Sequence, residues 1–555
     1  MYLSSTKKMY SLLSFLALLV SDQSSLCDHP LSGVRPVHGV RCIASSASQY
    51  ASAKPSKKTL SKPNVRNIVL VEGVRTPFLQ SGTQYKNLMP HDLARTALQG
   101  LVKKTGVRKD EVDYIVYGTV IQEVKTSNVA REAALGAGFS NKIPAHTVTQ
   151  ACISSNQAIA TAVGLIAAGQ CESVVAGGVE FMSDVPIRHS RNMRKLMLSM
   201  NKAKTTGARL GLISQMLKPK NLVPELPAVA EFSTNETMGH SADRLCAAFG
   251  ISRKEQDEFA LRSHTLAKEA TDKGYLTDVL TYKVPGVAEP VSRDNGIRPS
   301  SMEQMTKLKP AFIKPHGTIT AANASFLTDG GSACLIMSEE QALARGFKPK
   351  AYLRDFVFVS QDPKDQLLLG PAYATPKVLE KAGLTMDDIS VFEYHEAFAG
   401  QILSNLKAMD SEWFAQNQMG RKTKVGVPPM EKFNIWGGSL SLGHPFGATG
   451  VRLVTTAANR LIKEDGQYAL VAACAAGGLD FINIGIVMIG KVKDLTLQNS
   501  KHTLVPHVLI PNRPLWSVSG QLALSAEVMA NVKVFADGQT DRQKDGQSDY
   551  YRAPA

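Results

Sequence analysis

Apolar positions along this chain fall into short unbroken runs, separated by stretches in which they recur every three or four residues. Asn67-Ile-Val-Leu-Val-Glu-Gly reads as a strand covered on both faces, and so do Asp113-Tyr-Ile-Val-Tyr-Gly and Ser173-Val-Val-Ala-Gly-Gly. Asp92-Leu-Ala-Arg-Thr-Ala-Leu98 carries helical spacing. The β-branched run Ala145-His-Thr-Val-Thr precedes an Ala-rich helical stretch at 157–168. A second alternating set begins near residue 350. Alternation of this kind predicts an α/β fold with largely parallel strands. One echo relates the two sets. Lys109-Asp-Glu-Val-Asp-Tyr-Ile-Val-Tyr and Thr385-Met-Asp-Asp-Ile-Ser-Val-Phe each lead from an acidic segment into an apolar strand.

Residues 184–220 break the pattern. Nine Lys or Arg (188, 191, 194, 195, 202, 204, 209, 218, 220) stand against a single acid, Asp184, interleaved with Met193, Leu196, Met197, Leu198, Met200, Leu210 and Leu212. The pattern predicts an amphipathic helix lying on an anionic membrane or on a partner. The plainer reading is a solvated helix packed on its own domain.

The first 62 residues read as a targeting segment. Lys7-Lys8 followed by the apolar run 11–20 imitates a secretory signal and is too short to span a bilayer. Residues 29–71 hold no Asp or Glu, with Arg35, Arg41, Lys54, Lys57, Lys58, Lys62 and Arg66 among many Ser and Ala, as in a mitochondrial transit peptide. The mitochondrial reading suits a chain with a reactive thiol better.

Bulk composition narrows the classes. A chain of 555 residues, 44% apolar, holds two to four domains. The formal charge of +15 invites a nucleic-acid reading, but no RNP, zinc-knuckle or helix-turn-helix signature supports one. A phosphate-bearing substrate or an anionic membrane suits the same charge. The seven cysteines (27, 42, 152, 171, 246, 334, 474) are odd in number and scattered, which indicates free thiols; none has zinc-site spacing with His.

Chemistry concentrates at four places. Cys152 lies between a strand-like and a helix-like run, where helix N–H groups and dipole favour the thiolate. His395 and Glu396 end an apolar strand, His444 sits in the glycine-dense loop 436–450, and Cys474 closes a strand before Gly477-Gly478. Singly, each has a structural explanation, inert core packing above all. Together, two Cys and two His at strand ends occupy the position where α/β sheets collect ligands.

Through these motifs, and along residues 66–478, the sequence resembles the thiolase family. The resemblance implies two related α/β halves in a five-layered αβαβα arrangement plus a loop domain, within dimers or larger assemblies. The expected boundaries are 66–340 for the first half, with a loop domain at about 183–250, and 345–490 for the second. It further implies thiolytic cleavage of long-chain 3-oxoacyl-CoA by coenzyme A as co-substrate. No metal or nicotinamide is required, and a partner subunit carrying hydratase and hydroxyacyl dehydrogenase activities is expected. The resemblance would also make the membrane facing residues 184–220 the anionic inner-membrane lipids of the mitochondrion.

Residue roles follow from the same resemblance. Cys152 is the nucleophile, His444 takes its proton, and Cys474 moves the proton of the acetyl-CoA enolate. His395, where most of the family has Asn, holds an oxyanion-stabilising water. The backbone N–H groups of Cys152 and Ala476 serve the acyl-enzyme oxyanion, and Met238, Ser325, Ala397 and Phe398 line coenzyme A. After Gly478 the resemblance stops. Asp480 takes a glycine position, Ile482–Ile489 offers a substitute strand, and residues 491–555 read as a divergent, disordered tail. A catalytically impaired, partner-binding subunit is the alternative that this C-terminus raises. A decarboxylating condensing enzyme comes last, because it has no use for Cys474.

Overall fold

A computed structural model describes residues 65–478. The targeting segment, Asp480, the substitute strand 482–489 and the tail from 491 lie outside the described residues.

One sheet contains β1 (Ile68–Arg75), β2 (Leu79–Gln80), β3 (Tyr114–Gly118), β4 (Ala145–Val148), β5 (Ser173–Glu180), β6 (Thr328–Ser338) and β7 (Ala351–Tyr352). Its order is β4-β3-β5-β6-β1-β7, with β2 on β6. A second sheet pairs β8 (Val391–Tyr394) with β9 (Ala469–Ala472) in parallel. The expectation of largely parallel strands needs correction. β3 is parallel to β4 and β5, but β6 runs antiparallel to both β1 and β5, and β7 antiparallel to β1. Helical crossovers 129–136 and 154–167 join β3, β4 and β5 and return the chain to the same end each time. β6 arrives only after the long excursion from Glu180 to Thr328, so no such crossover fixes its direction.

Period-two burial explains the layering. On one face of the large sheet Val69, Val71, Ile115, Tyr117, Val175, Ala333 and Leu335 pack with the outer helices Pro90–Thr105 and Val129–Gly136. On the other, Leu70, Val116, Val174, Ala176, Cys334 and Ile336 share a core with helices Ser154–Ala167 and Thr449–Lys463. Val391, Ala469 and Val471 of the small sheet join that same core. Phe392, Tyr394, Leu470 and Ala472 face away, toward helices Gly370–Ala382 and Ala399–Met409. The sequence of layers is αβαβα. The echo also holds: Lys109–Glu111 and Met386–Asp388 are each a 3-10 turn with a capping box leading into β3 and β8.

The basic excursion is broken into Arg191–Met200, Thr206–Met216 and the start of the single turn Pro219–Leu222 rather than forming one helix; Thr205 caps the second N-terminus by accepting from Ala208 N. Met193 is the only buried residue of the first, and the second buries none. Leu198, Leu210 and Leu217 stay 66%, 61% and 67% exposed.

Candidate active site

Cys152 occupies the tight turn between β4 and helix Ser154–Ala167, two residues before the first helical residue. The turn is stapled by Ser154, whose Oγ accepts from Gln150 N at 2.8 Å and donates to Ala151 O at 2.7 Å. Ala151 stands at φ +47°. A left-handed alanine costs about 1 kcal/mol or more, and such strain tends to be kept where it aims a functional group.

Across the central layer, β8 and β9 deliver the next pair. His395 N donates to Ala472 O at 2.7 Å, extending the ladder one residue past β8, and Cys474 follows two residues beyond β9. Asn434, at φ +47°, mimics a neighbouring strand: its side chain accepts from Tyr394 N at 2.8 Å and donates to Tyr394 O at 2.9 Å. It also donates to Glu396 Oε1 at 2.7 Å, so the segment carrying His395 is held from both sides.

The glycine-rich loop brings His444. Gly443 adopts φ +106°, and a side chain there would meet Thr328 Cγ2 at 2.8 Å, while Thr328 Oγ1 accepts from His444 N at 3.0 Å. Glu180, at the end of β5, accepts from the amides of Gly447 (2.9 Å), Ile121 (2.9 Å) and Val120 (3.1 Å). Burial pushes its carboxyl up to about 7 against the pull of those three amides. Gly178 permits the contact: a methyl at that position would lie 1.7 Å from Gly447 O. The loop is thereby seated on the strand ends beside the Cys152 turn, and Val451 N donates to Ser155 Oγ at 3.3 Å.

The two imidazoles lie against one another with ring centroids 4.0 Å apart and their planes tilted by 41°. Both rings are buried, and both Nε2 atoms lack a hydrogen-bond partner among the described residues. His395 Nδ1 lies 2.9 Å from Ser439 Oγ, and His444 Nδ1 lies 2.7 Å from Thr449 Oγ1. Burial lowers His444 to about 3, with Arg452 adding to the shift. Burial, then His444 and Arg452, hold His395 well below the usual imidazole range. Both rings are therefore neutral at physiological pH.

Cys152 shares one apolar core with Ala473 and Ala475, the neighbours of Cys474, while Cys474 itself is buried in the core that contains Ala397 and Phe398. The residues expected to line coenzyme A also converge. Ser325 N donates to Ala397 O at 2.9 Å, and Ala324 bridges Phe398. Phe312 packs edge-on against Phe398 and covers Gly239, the neighbour of Met238. Ala476 opens a short turn in which Gly477 N donates to Glu231 Oε1 at 2.9 Å. Sequence reasoning missed Glu180, Ser439, Thr449 and Arg452. A lone acid closing an apolar strand and an Arg inside an apolar helix were the available signals. Among the described residues no three His, Cys, Asp or Glu side chains group as a metal site requires.

A buried, neutral imidazole pair in an αβαβα frame defines a class, and sequence comparison names it. The thiolase N-terminal domain matches residues 68–340 and the thiolase C-terminal domain residues 347–484; the chain belongs to the thiolase family. Among named relatives, it is 75% identical over 447 residues to the mouse (Mus musculus) mitochondrial trifunctional enzyme subunit beta, covering 80% of this chain and 93% of that one. It is 62% identical over 420 residues to a probable 3-ketoacyl-CoA thiolase of Caenorhabditis elegans, covering 76% and 94%. Human mitochondrial 3-ketoacyl-CoA thiolase in complex with CoA superposes with a TM-score of 0.64 at 28% identity, covering 77% of this chain and 98% of that structure.

Proposed function

We infer that this chain is a 3-ketoacyl-CoA thiolase of mitochondrial fatty acid β-oxidation, cleaving long-chain 3-oxoacyl-CoA with coenzyme A to acetyl-CoA and a shortened acyl-CoA. The observation that carries the reading is the close pair His395–His444, ring centroids 4.0 Å apart, with both Nε2 atoms buried and without a hydrogen-bond partner among the described residues.

In this mechanism His444 Nε2 takes the Cys152 proton, and the thiolate attacks the 3-keto carbonyl. Burial disfavours a lone imidazolium, so the charge on His444 is tolerable only beside the negative sulfur or the oxyanion that replaces it. Cleavage of the Cα–Cβ bond leaves the acyl group on Cys152. The acetyl-CoA enolate, its oxygen held by His444 and a water on His395, takes its proton from Cys474. Cys474 then deprotonates coenzyme A, whose sulfur attacks the acyl-enzyme and regenerates Cys152. The backbone N–H groups of Cys152 and Ala476 stabilise that second oxyanion. Coenzyme A lies along Met238, Ser325, Ala397 and Phe398 and is a co-substrate, released each turnover.

The name of the relatives, a trifunctional enzyme subunit beta, supports a hetero-oligomer with an α-subunit, which we place around a homodimeric thiolase core. The two exposed helices, with basic residues and uncovered Leu198, Leu210 and Leu217, dock on anionic lipid at the matrix face of the inner mitochondrial membrane. The N-terminal 62 residues act as the transit segment, with the two thiolase halves at 66–340, including the loop domain 183–250, and 345–490. The test is turnover: purified chain supplied with a long-chain 3-oxoacyl-CoA and coenzyme A releases acetyl-CoA and the acyl-CoA two carbons shorter, followed by mass spectrometry. Binding of the α-subunit without any acetyl-CoA release would favour the catalytically impaired alternative.

A further inference from the structure

The two histidines have the same kind of neighbour at Nδ1, a hydroxyl, but the hydroxyls differ in what else they hold. Ser439 Oγ lies 2.8 Å from Arg452 Nη2 and 2.9 Å from His395 Nδ1. A guanidinium has donors and no acceptor, so Ser439 Oγ must accept from Arg452. The hydroxyl keeps one proton to give, and the acceptor it finds among the described residues is His395 Nδ1. All three side chains are buried, where an unmade hydrogen bond costs about 1–3 kcal/mol. At His444 the polarity reverses. Thr449 Oγ1 donates to Pro445 O at 3.0 Å, the usual helical back-bond, and so receives the proton of His444 Nδ1 at 2.7 Å.

We propose that Ser439 and Arg452 are positioning residues that fix His395 as its Nε2–H tautomer, while Thr449 fixes His444 as its Nδ1–H tautomer, so that one neutral imidazole presents a donor and its neighbour a base. The proposal deepens the thiolase reading and rests on it for the kinetic part. A donor at His395 Nε2 is ready for the oxyanion or its water before any proton has moved. A bare Nε2 on His444 is what proton abstraction from Cys152 requires. Once His444 has taken that proton, two N–H groups lie side by side for the enolate oxygen. Burial, then the neighbouring His444 and the charge of Arg452, keep His395 from protonating, which preserves the neutral tautomer that Ser439 selects.

The experiment has two arms on the full chain. The first labels histidine ring nitrogens with 15N and assigns His395 and His444 by comparison with His395→Asn and His444→Ala. Protonated and lone-pair nitrogens give separate resonances. The expected spectrum has a proton on Nε2 of His395 and on Nδ1 of His444; a proton on Nδ1 of His395 in the unmutated chain overturns the proposal. The second arm is kinetic. Ser439→Ala should lower kcat about 10-fold or more with KM little changed, as second-layer partners of functional histidines do. In a His395→Asn background the same change should cost almost nothing, because its effect passes through the imidazole. An equal loss in both backgrounds overturns the proposal in favour of a structural role. If the unmutated chain releases no acetyl-CoA, the thiolase reading fails, and the nitrogen spectrum still decides the tautomers.

Discussion

Replacing Gly178 by Ala tests whether the end of β5 seats the loop that carries His444. A methyl there would lie 1.7 Å from Gly447 O and 2.8 Å from Ser155 Cβ, whereas real methyl contacts start at 3.0 Å. No rotamer can relieve a clash with a backbone carbonyl. The loop, only three residues from His444, must retreat by more than about 1 Å. A displacement of that size at a catalytic group costs roughly 100-fold in rate, or about 2.7 kcal/mol of transition-state stabilisation. Overpacking should also destabilise the fold by about 1–3 kcal/mol, which is survivable for a core of this size. The assay is steady-state thiolysis alongside urea unfolding. Gly164→Ala is the control: it lies exposed inside helix Ser154–Ala167, with nothing within 4 Å of the added methyl. It should leave kcat unchanged and stabilise the helix by up to about 1 kcal/mol. A Gly178→Ala enzyme with unaltered kcat/KM would refute the idea that this contact positions His444.

Three further outcomes are expected. Burial pushes the Glu180 carboxyl from its ordinary value of 4.5 up to about 7, so the folded chain holds this proton more tightly than the unfolded one and its stabilising contribution fades as pH rises from about 4.5 through 7. Glu180→Gln should flatten unfolding free energy across that window; an unchanged slope would remove Glu180 as its source. Asp294 pairs through both oxygens with the buried Arg75, at 2.6 and 2.9 Å, and accepts from Phe78 N at 2.7 Å. Asp294→Ala leaves the buried guanidinium with Asp278 alone, at 2.8 Å from Nε, and both Nη groups without that carboxylate, which should cost about 1–3 kcal/mol in urea unfolding, with no measurable loss counting against it. Reversing the exposed Lys195, Lys202, Lys204 and Lys218 to Glu should abolish binding to anionic vesicles, since about 1 kcal/mol per cation compounds to roughly a thousandfold. Retained binding would place the membrane contact elsewhere.

Much of this architecture is visible in the pattern of residues because it is local. β1, β3 and β5 are apolar runs buried on both faces, and the acidic lead-ins to β3 and β8 cap their own turns within four residues. The four chemical residues stand out for a related reason: Cys152, His395 and Cys474 follow strands, and His444 lies in a glycine-rich loop ahead of a helix. The central strand β6 escapes notice because its opening Thr-Asp-Gly-Gly looks like a turn, although it is buried throughout by neighbours 150–270 positions away. Its antiparallel direction follows from the excursion before it, which no periodicity encodes. Arg452 hides in a helix with an apolar start, and its meaning appears only when Ser439 and His395 arrive from other elements. Glu180 is likewise one acid until the amide of Gly447, 267 positions on, is brought to it.

The central claim is a covalent one: Cys152 carries the acyl group, and Cys474 moves a proton without ever being acylated. Long-chain 3-oxoacyl-CoA mixed with the chain in the absence of free coenzyme A, quenched in acid and digested, reports it directly by mass spectrometry. The account predicts an acyl chain two carbons shorter than the substrate on the peptide containing Cys152, removed on adding coenzyme A and absent in Cys152→Ala. Acylation of Cys474, or turnover that persists in Cys152→Ala, would contradict it.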